Sequence, residues 1–282
     1  MSTRLRDVLM ERLGDLRHEP IDKRIRGVLG DETVVDTLRA VLLWEPRRVV
    51  PQYAIPQEDV LATLVPAPDL QDPAMPEGVV AMGVPLAGRP VLDPSIPFDV
   101  HTADGERLTL RAAAGERPGA AFRLADAALE DHVVLDFDAL DAWYEEEERN
   151  LAHPRDPFHR IDIVRSSRRV RVMLDGEVLA DSERPMMLFE PPLPARYYLP
   201  PEDVRMELLR PTDTQTFCAY KGEASYLSAP GAEDVAWTYR APLREAAEVT
   251  DHVAFFNERV DVEVDGVALE RPLTPWSPRS AR

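Results

Sequence analysis

The chain carries one passage twice, and this repeat constrains its fold more than any other feature. Ile25-Arg26, Val34-Val35-Asp36-Thr37, Trp44-Glu45-Pro46, Tyr53, Pro56 and Glu58-Asp59-Val60 recur in order as Val170-Arg171, Leu179-Ala180-Asp181-Ser182, Phe189-Glu190-Pro191, Tyr197, Pro200 and Glu202-Asp203-Val204. A second stretch matches Asp131-His132-Val133 and Asp141 to Asp251-His252-Val253 and Asp261 without a gap. The 282 residues are enough for two domains, each burying its own core. Two tandem copies of one small domain are expected. A residue present in only one copy is then a candidate for function rather than for fold.

Short apolar runs such as Val34-Val35, Val41 to Trp44 and Val170 to Leu174 alternate with turn signals at Gly30-Asp31, Asp175-Gly176 and Asp265-Gly266. This is the pattern of antiparallel sheet, not of helix, and the fold class expected is all-β. Pro56 to Val60 and Pro200 to Val204 read as starts of short helices, with Pro and acids in the first turn. Leu5, Val8, Leu9, Leu13 and Leu16 fall at helical spacing, which predicts an amphipathic helix ending near His18-Glu19-Pro20. The organisation expected is that helix in residues 1–21, a first β domain in 22–145, an inter-domain strap in 146–167, a second β domain in 168–275 and a tail in 276–282. Between the matched stretches the copies diverge. The first holds a Pro-rich loop from Pro66 to Pro97 whose patch Val79-Val80-Ala81-Met82 suggests a segment laid over a surface, and the second holds Phe217 to Tyr226.

A net charge of −18 and a pI near 4.8 make nucleic acid and anionic membrane poor partners. Charged residues interrupt the first twenty positions, so no signal peptide is expected, and no run approaches the ~20 apolar residues that cross a bilayer. A single cysteine, Cys218, excludes intrachain disulfides and zinc sites built from Cys pairs, and fits a cytoplasmic protein. Lysine is nearly absent, occurring only as Lys23 and Lys221. Two readings stand: Lys221 sits where a compact or deprotonatable amine matters, or a composition bias thins lysine everywhere and spares some at random.

In the second copy, Arg169-Val170-Arg171, Ala180-Asp181-Ser182, Tyr197-Tyr198-Leu199-Pro200, Cys218-Ala219-Tyr220-Lys221-Gly222, Ala236-Trp237-Thr238-Tyr239 and His252-Val253-Ala254-Phe255-Phe256 resemble the bacterial domain of unknown function 427. The first copy resembles a diverged member, and together they cover roughly residues 22 to 275. Ala219 stands where the family's motif has Pro. The resemblance implies two tent-like β domains of the kind seen in Mss4-like proteins, without their zinc. It implies no established reaction; the family's label hints at nucleotidyl transfer, but the chain has neither a Gly-rich phosphate loop nor a paired metal-binding Asp motif. No cofactor is expected.

Cys218 and Lys221 lie three apart around a turn, so both can converge on one cavity with Tyr198, Tyr220, Tyr226, Trp237 and Tyr239. A lysine desolvated by aromatic walls can act as a base or carbonyl-trapping amine, or stay charged and hold an anion. The plainer reading is a Lys-Gly turn whose ammonium caps carbonyls or pairs with Asp203. In that reading Cys218 is a small buried hydrophobe and the rings are core. On the site reading, Lys221→Ala costs little stability, because a turn-borne ammonium contributes little packing.

Asp36-Thr37, Asp181-Ser182, His132 and His252 recur in both copies and read as structural. His153, Arg155, Asp156, His159 and Asp162 form the densest polar cluster. Two histidines six apart around prolines match no helical metal-ligand spacing, so this reads as a strap and no metal site is expected. Glu145 to Glu148 reads as a solvated acidic face. The function expected is binding of a small metabolite in a second-copy pocket centred on Lys221, with its transformation there as an extension of that reading. The alternatives are a non-catalytic protein-interaction module and, more weakly, nucleotidyl transfer. Ligand identity and oligomeric state are not legible.

Overall fold

The computed structural model describes residues 2–67, 69–71, 73 and 91–278. The Val79-Val80-Ala81-Met82 patch lies outside them. The described residues form two compact units divided between Asp156 and Pro157, and both are mainly β.

The first unit runs through β1 (Arg17–Pro20), β2 (Ile25–Leu29), β3 (Glu32–Thr37), β4 (Val41–Trp44), β5 (Gln52–Pro56), β6 (Thr63–Pro66), β7 (Gly105–Ala112), β8 (Gly115–Leu124), β9 (His132–Leu135), β10 (Ala142–Glu145) and β11 (Glu148–Asn150). The second runs through β12 (Asp162–Arg165), β13 (Val170–Leu174), β14 (Glu177–Ser182), β15 (Met186–Phe189), β16 (Arg196–Leu199), β17 (Arg210–Cys218), β18 (Gly222–Ala229), β19 (Ala232–Thr238), β20 (Val253–Phe255), β21 (Asp261–Val264) and β22 (Val267–Ala268). Each unit pairs a seven-stranded with a four-stranded antiparallel sheet. The orders are β1-β4-β5-β9-β8-β7-β6 with β11-β10-β2-β3, and β12-β15-β16-β20-β19-β18-β17 with β14-β13-β21-β22. Raising each label of the first unit by eleven reproduces the second.

The likeness extends to register. In β2–β3 the pairing shifts after Gly27↔Val35 to Val28↔Thr33, and in β13–β14 it shifts after Val172↔Ala180 to Met173↔Val178. Each hairpin therefore carries a bulge at the same step. Asp175-Gly176 and Asp265-Gly266 close their hairpins as two-residue turns with positive φ at both positions (50° and 85°, 53° and 78°), the geometry for which Asp-Gly is suited. Arg24 holds Asp36 with a two-pronged pair (2.7 and 2.6 Å), and Arg169 holds Asp181 likewise (2.8 and 2.6 Å). Thr37 Oγ1 donates to Asp59 (2.6 Å) and Ser182 Oγ to Asp203 (2.8 Å). These recurring residues tie strand ends to turns.

The runs Val41 to Trp44 and Arg196 to Leu199 are buried at every position because their sheets are covered on both faces. Alternation then sorts side chains between faces. In the first unit Leu42, Tyr53, Ile55, Val133 and Leu135 join Ile25, Val35 and Trp143 in the main core, while Val41, Leu43, Ala54, Phe122 and Val134 form a second cluster. In the second unit Met187, Tyr197, Leu199, Ala236 and Val253 join Val170 and Val262, while Met186, Leu188, Tyr198, Trp237 and Ala254 form the other cluster.

Two expectations are corrected. The N-terminal helix is Leu5–Glu11 only, and Arg17–Pro20 is strand β1, paired from Arg17↔Trp44 to Pro20↔Val41. Gly14 interrupts the helical run, and pairing with β4 satisfies backbone groups that a helix end would leave unmet. Glu145 is not a solvated acid: its side chain is 10 % exposed and accepts from Tyr53 Oη (2.8 Å) and Lys23 Nζ (2.5 Å), whereas Glu147 is exposed. Among the described residues no helix is long and apolar enough to cross a membrane.

Trp143 is fully buried, lies 5.1 Å from the Tyr53 ring and donates Nε1 to Phe137 O at 3.0 Å. Trp143→Ala should cost about 3–5 kcal/mol in urea unfolding. A loss below about 1 kcal/mol would mean that this core is not close-packed.

Candidate functional site

Strand β15 ends at Phe189, and the next residue, Glu190, is buried. Its carboxylate accepts from Lys221 Nζ at 2.5 Å through Oε2 and meets His159 Nε2 at 3.1 Å through Oε1. Lys221 is delivered by the Ala219-Tyr220-Lys221 connection between β17 and β18, which closes on the pair Cys218↔Gly222. Gly222 has φ +90°, and a Cβ there would stand 3.3 Å from the Leu243 backbone nitrogen. Leu243 N also donates to Lys221 O at 3.0 Å, so the Lys-Gly turn is pinned from outside.

Lys221 is 8 % exposed. Burial alone would pull its ammonium down, but the Cys218 sulfur and the Glu190 carboxylate outweigh it, and the group ends above its ordinary value. Burial alone would raise the Glu190 carboxyl, but Lys221 and His159 outweigh it and hold it at about 2. Both charges therefore persist at neutral pH. The deprotonated amine does not fit this geometry, and neither does pairing with Asp203, which Ser182 and Arg184 occupy (2.8 and 3.0 Å).

The ionised Glu190 only accepts, so His159 Nε2 carries the proton of their hydrogen bond. In the neutral imidazole the lone pair is then on Nδ1, which has no hydrogen-bond partner among the described residues. The His159 side chain is 21 % exposed and its ring lies 4.5 Å from that of Tyr220. His159 thus belongs to the second unit's charged cluster. His153 belongs to the first unit, where its Nδ1 lies 2.8 Å from Pro154 O.

The expected aromatic residues come together as packing. Tyr198, Trp237 and Tyr239 are buried in one cluster with Phe256, and Tyr226 lies partly buried at its margin. Trp237 Nε1 donates to Tyr198 Oη (3.1 Å), and Thr216 Oγ1 lies 2.9 Å from Tyr226 Oη. Burial pushes Tyr198 up to about 12 and Tyr239 well above the ordinary phenol, so both remain neutral. Cys218 is half-buried at the end of β17. A cleft of about 130 Å³ in the same unit is lined by Pro194, Tyr197, Asn257, Val262, Leu269 and Pro272, and none of the expected site residues borders it. Arg196 is sandwiched near Trp237, Phe256 and Trp276 and forms a two-pronged buried pair with Glu258 (2.7 Å each).

Sequence reasoning missed Glu190 as a site residue and assigned His159 to the strap. The signal for Glu190 was present: a carboxylate directly after an apolar run and before Pro, as at Glu45. Its counterpart Glu45 is also buried and is met by His101 Nδ1 at 2.7 Å. His101 precedes β7 in the β6–β7 connection, the equivalent of the connection that delivers Lys221. By register Arg17 matches Asp162, so Gly14 occupies the place of His159.

Removing Lys221 strands a buried carboxylate, so Lys221→Met should cost about 3–5 kcal/mol, against the small loss expected from sequence. Glu190→Leu in the same chain should restore most of it, and a double variant as unstable as the single one would deny the coupling. Because Glu190 is depressed from 4.5 to about 2, its contribution is present above pH 4.5 and is lost as pH falls towards 2. Acid unfolding of Glu190→Gln, followed by circular dichroism, should lack that component.

A family model described as a domain of unknown function (DUF427) matches residues 162–266, which run from the start of β12 to the end of the β21–β22 turn. No curated protein matches the chain.

Proposed function

We propose that the second unit binds a small molecule at His159, with Glu190 and Lys221 as the charged pair behind it, and that His159 exchanges a proton with what it binds. One observation carries the reading: a single ionised carboxylate holds a buried ammonium on one side and a surface-reaching imidazole on the other. A buried charged pair costs desolvation that apolar side chains of the same volume avoid. A carboxylate that fixes the tautomer and aim of a histidine is the usual support of a general base. Lys221 acts electrostatically, keeping Glu190 ionised, and Tyr220 supplies an apolar wall. Cys218 lies beside the cluster without an assigned step.

A protein-interaction role is the second reading. Phe158 (73 % exposed), Phe189 (41 %) and Phe217 (52 %) each precede a residue of the cluster, namely His159, Glu190 and Cys218. Nucleotidyl transfer gains no support: among the described residues no group of three or more His, Cys, Asp or Glu is arranged to hold a metal ion.

The first unit reads as a diverged copy of the same tent-like, Mss4-like domain. Identical strand order, the equivalent bulges and the repeated Arg–Asp pairs support it. We also propose a cytoplasmic setting without nucleic-acid partners, a reading supported by the single cysteine and the charge of −18.

Native mass spectrometry of gently purified protein tests the site. A co-purifying mass should be lost in His159→Gln and kept in the first-unit control His18→Gln. A mass kept in His159→Gln would place the ligand elsewhere. If no mass appears and a captured protein is lost in Phe158→Ser/Phe217→Ser, the interaction reading prevails.

A further inference from the structure

The residues just before β7 are held to the first unit by buried Leu92, Ile96, Phe98 and Val100, by backbone bonds between Leu92 and both Arg47 and Val49, and by a set of buried charges. Arg48, fully buried, donates to the carbonyls of Ile96 (3.1 Å), Pro97 (2.8 Å) and Val100 (2.7 Å). Glu45, also fully buried, accepts from Thr102 N (2.6 Å) and Ala103 N (3.0 Å), from Gln52 Nε2 (3.0 Å) and from His101 Nδ1 (2.7 Å). The His101 ring stacks on Phe122 at 3.9 Å.

Burial works against ionised Glu45, yet His101 and the two backbone N–H groups prevail and hold its carboxyl below the ordinary range. Glu45 therefore only accepts, and Nδ1 of His101 is a donor. The other ring nitrogen, Nε2, faces Asp136 Oδ1 at 3.5 Å, with side chains 4 % and 5 % exposed. Neither atom has a hydrogen-bond partner. Without a proton between them, two buried lone pairs point at each other. With one, closure by a few tenths of an ångström satisfies both.

We propose that His101 Nε2 and Asp136 Oδ1 share one sealed proton, and that this proton latches residues 91–103 onto the sheet, giving the first unit a pH-gated strap over Glu45. The charged groups facing the pair are Glu45 from the end of β4, Arg48 from the turn after it, Asp99 from the strap and Arg107 from β7, with Asp138, from the turn after β9, acting on Asp99 and Arg48. Burial drives the Asp136 carboxyl from 3.8 up to about 7, while His101 pulls the other way. The closed strap thus binds the proton more tightly than the open one. Its hold is strongest in mild acid and is lost as pH rises through about 7. In the second unit Ala219-Tyr220-Lys221 stands where the long β6–β7 connection stands here, so Glu190 has no such strap. The latch does not depend on the function proposed for His159.

Amide hydrogen exchange of full-length protein at pH 5 and pH 8, corrected for intrinsic rates, tests the latch. Protection of residues 91–103 should be about threefold higher at pH 5 than at pH 8, because an opened imidazole takes up a proton at about 6.5 and the closed pair at about 7. Strands β13 to β16 of the second unit should not follow it. Asp136→Asn keeps a donor towards Nε2 at every pH and should flatten the difference to less than about twofold. Equal protection of wild type at the two pH values would overturn the proposal, and that comparison stands even if the variant does not fold. An undiminished difference in Asp136→Asn would overturn it equally.

Discussion

A carboxylate placed directly after a buried strand must be answered from inside the protein, and much of each unit is arranged around that answer. Glu45 follows β4 and Glu190 follows β15, at equivalent points of the two seven-stranded sheets. Taken out of water, each needs a cation or several N–H donors, or it takes up a proton. Both are answered chiefly by a basic side chain from the connection between the last two strands of that sheet. The connection supplies His101 with two backbone N–H groups in the first unit and Lys221 in the second.

The same demand has two outcomes because the connections differ in length. In the first unit the chain between β6 and β7 is long enough for its final residues to cover the carboxylate and stack His101 on Phe122. In the second, three residues join β17 to β18, and the other side of Glu190 is left for His159, whose ring reaches solvent. One site is sealed; the other has an opening. Trp237 occupies the sheet position of Phe122 by register, and Phe256 that of Asp136, so the second unit fills with rings the ground that the first fills with acid and imidazole.

Much of the fold was legible because periodicity and turn chemistry act locally. Asp175-Gly176 and Asp265-Gly266 announced their hairpins, and Asp36-Thr37 and Asp181-Ser182 their structural work. Strand β1 was not legible: the leucines before it keep helical spacing, and only pairing with β4, far along the chain, makes Arg17–Pro20 extended. Part of the cluster around Glu190 was legible. Rarity of lysine pointed to Lys221, and both lysines do meet largely buried glutamates at 2.5 Å. Neither the partner nor its consequence could be read, because Glu190 lies 31 residues from both Lys221 and His159. Separation of that kind turned a supposed reactive amine into a fixed cation and joined to it a histidine that had looked like part of a linker. The rings of Tyr198, Trp237 and Tyr239 illustrate the opposite case, since core packing and ligand walls look alike in sequence.

The central claim is that an ionised Glu190 fixes the His159 tautomer and leaves Nδ1 as the outward-facing base. Long-range nitrogen–proton NMR of protein labelled with ¹⁵N-histidine reads this directly. The account predicts that neutral His159 carries its proton on Nε2 with Nδ1 bare, and that Glu190→Leu, which offers no acceptor, abolishes this preference. A proton on Nδ1 in the wild type, or a tautomer indifferent to Glu190→Leu, would contradict it.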